Sequence, residues 1–144
     1  MAITRSNAAD YLDARFSALA TGAGQTATDD SADGYGADID DALRDLSVAE
    51  ADLSSATVAE SSRRAYYALC EYYAARRFWI RYAAKGNVRL GPAAQSYESA
   101  VSALKAIMDD AQDRAATEGI AVSSATDWAL VRLGLDFIEP EVTN

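Results

Sequence analysis

Apolar positions along this 144-residue chain recur mostly at intervals of three and four, the spacing of one helical face. In "NAADYLDARFSALA", Tyr11, Leu12, Arg15, Phe16 and Leu19 fall on such a pattern. Ser6 stands where an N-cap would be, and Gly22 marks a stop, so the spacing predicts a first helix. Residues 21–36, "TGAGQTATDDSADGYG", are Gly, Ser, Thr and Asp with one aromatic, the composition of a flexible surface loop. A second helix is expected from about Ala37 to about Leu53, because Ile39, Leu43, Leu46 and Ala49 recur three or four apart. Asp38, Asp40 and Asp41 suit its positive N-terminal end. After the link "SSATV", a third helix beginning near Val58 or Ser61 carries "SRRAYYALCEYYAARRFWIRYAAK", residues 62–85, and frays near Gly86. Gly91 and Pro92 restart the chain, since proline is favoured in a first helical turn. Tyr97, Val101, Leu104, Ile107, Met108 and Ala111 then form one stripe of a fourth helix, with Gly119 as its C-cap.

The period changes in the tail. Val131, Leu133, Leu135 and Phe137 alternate beside Trp128, Leu130 and Arg132, a strand-like order closed by Pro140. A lone strand has no partner inside a helical bundle. It would lie on the bundle as an extended arm, pair with a stretch such as "NVRL", or add itself to a sheet in another protein. The expected architecture is therefore mainly α: a small helical bundle of about four helices over residues 1–124, with a flexible acidic loop at 21–36, and an extended C-terminal arm over 125–144.

The third helix mixes aromatic and basic side chains, the equipment for gripping a nucleic-acid strand, but a helical wheel divides them. Leu69, Tyr72, Tyr73, Trp79 and Ile80 share one side with Ala65 and Ala83, a core stripe. Arg63, Tyr67, Phe78, Arg81, Tyr82 and Lys85 share the other. Tyrosine and arginine are enriched at protein interfaces, so this ridge reads as a subunit contact or as a solvated basic face. Arg76 falls on the apolar side and requires an acidic partner, expected from the Asp-rich second helix.

Composition narrows the chemistry. The absence of histidine excludes a Ser/His/Asp triad, a Cys/His dyad and any histidine-ligated metal. Cys70 is single and lies in an apolar helix, so no internal disulfide is possible and a reducing compartment fits. No apolar run approaches the roughly 20 residues that span a bilayer, and the N-terminal residues lack the order of a signal peptide, which points to synthesis in the cytosol. A net charge of -9 opposes general DNA binding. Ten acids from Asp29 to Glu60 precede the cations from Arg63 to Arg89, so head-to-tail contact between copies and internal pairing of helices two and three are both open. Asp29, Ser31, Asp33, Gly34 and Asp40 match part of a calcium-loop spacing, but the eighth place is Gly36 and the last ligand is Asp in place of Glu. "GAGQT" is too short for a dinucleotide fingerprint and follows a helix. Neither a metal nor a cofactor is expected, and no carboxylate pair stands out as catalytic.

The succession "ADIDDALRDLSVAEADLSSATV", "RRAYYALCEYYAARRFWIRYA", "GPAAQSYESAVSALKAIMDDA" and "VRLGLDFIEP" resembles the head-tail connector proteins, adaptors or head-completion proteins, of tailed bacteriophages and phage-like particles. The resemblance covers most of the chain from Ala37 onward and rests on pattern, with no diagnostic signature. It implies a non-enzymatic virion protein, assembled in the host cytoplasm and located at the neck. Such a protein forms a ring, generally a dodecamer, beneath the portal protein and offers a platform to a stopper or tail-completion protein. Double-stranded DNA would slide through an acidic lining without specific binding. The residues implied for docking on the portal or a neighbouring subunit are Trp128, Val131, Leu133, Leu135, Phe137, Ile138 and Pro140. A small nucleic-acid-binding helical module, using Arg63, Arg81, Lys85 and the ridge tyrosines, and a calcium-responsive regulatory module are the alternatives.

Overall fold

The computed structural model describes residues 2–88, 92–120 and 122, with those between 85 and 98 described by their backbone alone. Four longer helices form a bundle: α1 (Arg5–Gly22), α2 (Gly36–Asp45), α3 (Arg63–Val88) and α4 (Pro92–Thr117). The chain is mainly helical, as the apolar spacing predicted, and α3 is its axis.

Contacts along α3 fix the directions of the other helices. Tyr11 and Leu19 of α1 meet Tyr67 and Tyr82, so α1 runs parallel to α3. Asp38 and Asp45 of α2 meet Arg77 and Tyr73, and Arg114 near the end of α4 meets Glu71, so α2 and α4 run antiparallel to it. Wrapped in this way, α3 buries Tyr66, Leu69, Cys70, Tyr72 and Phe78 almost completely, and Tyr73, Trp79 and Tyr82 nearly so. A helix apolar nearly all round belongs in a core. By contrast α4 buries the stripe Leu104, Met108, Ala111 and Ala115, and its neighbours Ala103, Lys105 and Ala106 are exposed.

Three helices end in the same way. After α1, the Gln25 N–H donates to the Ala20 carbonyl at 2.9 Å and the Gly24 N–H to Thr21 at 3.0 Å. After α2, Val48 donates to Leu43 at 3.0 Å and Ser47 to Arg44 at 2.9 Å. After α4, Ile120 donates to Ala115 at 3.0 Å and Gly119 to Ala116 at 2.9 Å. This paired pattern is the Schellman motif, which needs a left-handed residue at its turn. Gly24, Ser47 and Gly119 supply it, with φ of 87°, 69° and 82°. Gly119 thus caps α4 as expected. The second helix is shorter than expected because Ser47 turns the chain away at Asp45, and Glu50–Ser55 forms a separate 3-10 turn.

The N-terminus departs from expectation as well. Thr4, not Ser6, caps α1: the Thr4 hydroxyl accepts from the Asn7 N–H at 3.1 Å while the Asn7 amide oxygen accepts from the Thr4 N–H at 3.0 Å. Strand β1 (Ile3–Thr4) pairs antiparallel with β2 (Thr57–Val58), Ile3 opposite Val58. Two-residue strands are too short to leave a period in the sequence.

The segment between α1 and α2, expected as a flexible loop, is pinned to the bundle. Tyr35 is fully buried, its ring edge-on to Phe78 at 6.3 Å, and its N–H donates to the Asp29 carbonyl at 2.8 Å. Gly34 permits this turn, since a Cβ there would lie 2.3 Å from the Asp29 carbonyl oxygen. Arg5 completes the tie by donating to Asp30 at 3.1 Å, Asp40 at 2.6 Å and the Leu53 carbonyl at 3.0 Å.

Candidate functional site

Where α3 begins, α1, α3 and the end of α4 leave a cleft of about 520 Å³ lined by Tyr11, Arg63, Arg64, Tyr67, Arg114, Thr117 and Glu118. The Tyr11 and Tyr67 rings stack at 4.2 Å with 10° between their planes, making an aromatic wall. Arg63 is held by Glu60 one turn earlier at 2.6 Å, and Arg64 is exposed. Arg114 is half-exposed and bridges Asp110 at 2.9 Å.

Beneath the cleft lies Glu71, whose side chain is 1% exposed. One carboxylate oxygen accepts from Arg15 at 2.7 Å and Arg114 at 2.9 Å; the other accepts from Arg114 at 3.1 Å and from the Tyr11 hydroxyl. Burial alone would raise its pKa. The bonds from Arg114 and Tyr11, with the charge of Arg15, outweigh burial and hold the carboxyl below its ordinary value. Burial and the neighbouring carboxylate push the Tyr11 phenol up, so Tyr11 stays a donor. The cluster ties α1, α3 and α4 together and fixes Arg114 and Tyr11 at the cleft wall.

Less than two turns further along α3, at Arg77, the chemistry inverts. Asp38 of α2, 3% exposed, takes a two-pronged contact from Arg77 at 2.8 and 3.1 Å. Burial here wins over Arg77 and raises the Asp38 carboxyl. Arg76 is buried and its charge acts on both Asp38 and Asp41, so α2 does provide the acids expected for it. Arg77 also lies over the Phe78 ring at 4.5 Å. Burial pushes the Tyr35 phenol up to about 12. The Cys70 thiol is fully buried and pushed well up, the opposite of an activated nucleophile.

The expected ridge on α3 is divided by this packing. Arg63 and Tyr67 reach the cleft. Phe78 and Tyr82 do not form a surface: Phe78 is fully buried against Phe16, and the Tyr82 hydroxyl donates to the Leu19 carbonyl at 2.7 Å. They share a wheel face with Tyr67, but Tyr67 meets only the Tyr11 ring of α1 at the cleft wall, whereas Phe16 and Tyr35 close over Phe78. Arg81 donates to the Ala23 carbonyl at 3.1 Å and so ties down the end of α1. The side chain of Lys85 lies outside the described residues, as do Trp128, Val131, Leu133, Leu135, Phe137, Ile138 and Pro140. Sequence reasoning missed Tyr11, Arg15, Glu71 and Arg114. The available signal was Glu71 itself, the one acid between Ser62 and Lys85.

In the segment tested as a calcium loop, Asp29, Asp30 and Asp40 face intramolecular partners. Asp29 accepts from the Ser31 N–H at 3.1 Å and the Ser31 hydroxyl at 2.6 Å, and Asp30 and Asp40 bind Arg5. Among the described residues no group of three or more His, Cys, Asp or Glu is placed to hold a metal ion, and no helix is long and apolar enough to cross a membrane. No protein-family model, curated protein or solved structure matches the chain.

Proposed function

We propose that this chain is a non-enzymatic assembly protein of the head-tail adaptor type, a subunit of a ring beneath the portal of a tailed phage or phage-like particle. The observation that carries the reading is the closure of α4 before the apolar tail. Among the described residues the core runs from Ile3 to Ala115 and α4 is closed by its Schellman turn at Gly119 and Ile120. The apolar alternation from Trp128 to Ile138 comes after that closure, as a segment suited to a partner. The resemblance in element order and the acidic charge support the same reading, since an acidic conduit lets duplex DNA slide. In this role portal and stopper proteins are the partners, and the neck of the virion is the location.

The test is fractionation of the source lysate on a density gradient, with this chain quantified against the major particle protein. Recovery with DNA-filled particles at a low, fixed stoichiometry is expected, and truncation after Asp127 should abolish it while leaving the helical melt in place. Recovery in the soluble fraction alone would overturn the reading.

A further inference from the structure

The cleft at the start of α3 offers hydrogen-bond donors in excess of acceptors. An arginine carries five N–H donors and no acceptor. Arg114 commits Nε to Asp110 and one N–H of each terminal nitrogen to Glu71, so an N–H remains on each of those nitrogens. Arg63 is bonded through a terminal nitrogen to Glu60, and Arg64 is exposed with no acceptor among the described residues. Against these donors stands Glu118, the one carboxylate of the lining. The wall beside them is aromatic and already set. Tyr11 and Tyr67 lie parallel at 4.2 Å, Tyr67 also stacks on Tyr66 at 5.9 Å, and the Tyr11 hydroxyl is fixed by the buried Glu71. A preorganised wall loses little freedom when a ligand arrives. The volume of about 520 Å³ falls within the roughly 300–1,000 Å³ of small-molecule sites.

We propose that this cleft binds a small planar aromatic acid, a ring system bearing a single carboxylate or sulfonate. The ring lies against Tyr11 and Tyr67, and the anionic group is taken by the unclaimed N–H groups of Arg64, with Arg63 and Arg114 beside it. Planar oxyanions suit a guanidinium because both oxygens can accept from one fork. The limit to one charge follows from the acids. Glu60, Asp110 and Glu118 match the three arginines in number, and Glu60 and Asp110 are already bonded to Arg63 and Arg114. One anionic group is therefore drawn by the directed donors of Arg64, whereas a second finds no unmatched arginine and meets three carboxylates. A nucleotide polyphosphate or a nucleic-acid strand is disfavoured on that ground. A cationic ligand is disfavoured by the converse, three guanidiniums on the lining with Glu118 alone to receive it. The site belongs to the bundle and does not depend on the adaptor reading.

A matched pair of fluorescent probes tests it on the full chain: anilinonaphthalene sulfonate, an aryl monoanion, and phenylnaphthylamine, the same rings without the sulfonate. The sulfonate should occupy a single site per chain, and the uncharged parent should bind about tenfold more weakly. Arg64→Glu strands no partner and should weaken the sulfonate about tenfold while leaving the parent unchanged. Lys105→Glu makes the same charge change at an exposed position outside the lining and should alter neither. Tyr67→Ala should weaken both probes about fivefold. Adenosine triphosphate, aromatic but multiply charged, should fail to displace the sulfonate. Circular dichroism confirms that each variant is folded. Equal affinity for the two probes, several equivalent sites, no binding, equal effects of Arg64→Glu and Lys105→Glu, indifference to Tyr67→Ala, or ready displacement by the triphosphate would each overturn the proposal. None of these outcomes depends on whether the chain sediments with particles.

Discussion

The opening turns of α3 and its stretch from Arg76 to Tyr82 both combine aromatic rings with arginine, yet one borders a cleft and the other is sealed. In the first, Arg63, Arg64 and Tyr67 line the cleft beside Arg114. In the second, Phe78 and Tyr82 are core, and Arg76 and Arg77 work against α2. Each stretch adjoins one buried carboxylate, and the two titrate in opposite directions. Glu71 gathers donors from α1 and α4, enough to overcome its desolvation, whereas Asp38 receives the direct contact of Arg77 and stands near Asp41, which is not enough. Burial sets the same sign in both, and the number of donors decides which way the balance falls.

Truncating an aromatic ring in each stretch should break the comparison most. Phe78→Ala removes a ring packed against Phe16 and Tyr35 and should lower stability by about 3–5 kcal/mol. Tyr67→Ala removes a half-buried ring stacked on Tyr11 and should cost about 1 kcal/mol. Urea denaturation at neutral pH measures both. Equal losses would show that the cleft wall is as integral to the core as the sealed stretch.

The next largest effect comes from stranding Glu71. Arg15→Ala combined with Arg114→Ala leaves a carboxylate 1% exposed with Tyr11 as its remaining donor, for a loss of about 2–4 kcal/mol at pH 7. Glu71→Gln should cost less, because both arginines are nearly half-exposed and can turn to water. If Glu71→Gln were the worse of the two, its desolvation would not be the term that the arginines offset.

Helix spacing made much of this legible. The apolar stripe of α4, the Gly119 cap and the core face of α3 follow from local periodicity. The split of the ridge does not, because a wheel gives the angle of a side chain and not which neighbour covers it at that height. Tyr67 and Phe78 point the same way; Tyr35 and Phe16, distant in sequence, cover only Phe78. Glu71 was hidden for the same reason, its partners coming from residues 56 and 43 positions away. The left-handed turn at Ser47 was hidden differently, since no glycine announced it.

A pH series separates the two carboxylates by sign. The folded Glu71 carboxyl lies below its ordinary value of 4.5, so its contribution is fully present above that pH and is lost as pH falls below it. The folded Asp38 carboxyl lies above its ordinary value of 3.8, so the fold loses stability through Asp38 as pH rises from there through the folded value. Glu71→Gln should therefore flatten the acid side of the curve of urea midpoint against pH, and Asp38→Asn should steepen it. Parallel curves in the two variants would contradict the opposite directions.

The smallest effect sharpens the comparison from the backbone. Ser47 is exposed and holds φ at 69° in the turn that ends α2, the helix that delivers Asp38 and Asp45 to Arg77 and Tyr73 of α3. A left-handed residue with a Cβ costs roughly 1–2 kcal/mol, partly offset by the extra freedom glycine has when unfolded, so Ser47→Gly should gain about 0.5–1 kcal/mol. Gly24 and Gly119 run the experiment in reverse: a Cβ at either would meet nothing within 4 Å, so Gly→Ala there changes backbone strain alone. Each should lose about 1 kcal/mol. Gly119→Ala loosens the turn beside Thr117 and Glu118 at the cleft rim, whereas Ser47→Gly tightens the end of α2. Amide exchange should then slow across α2 in Ser47→Gly and quicken in the last turn of α4 in Gly119→Ala, each leaving the other region unchanged.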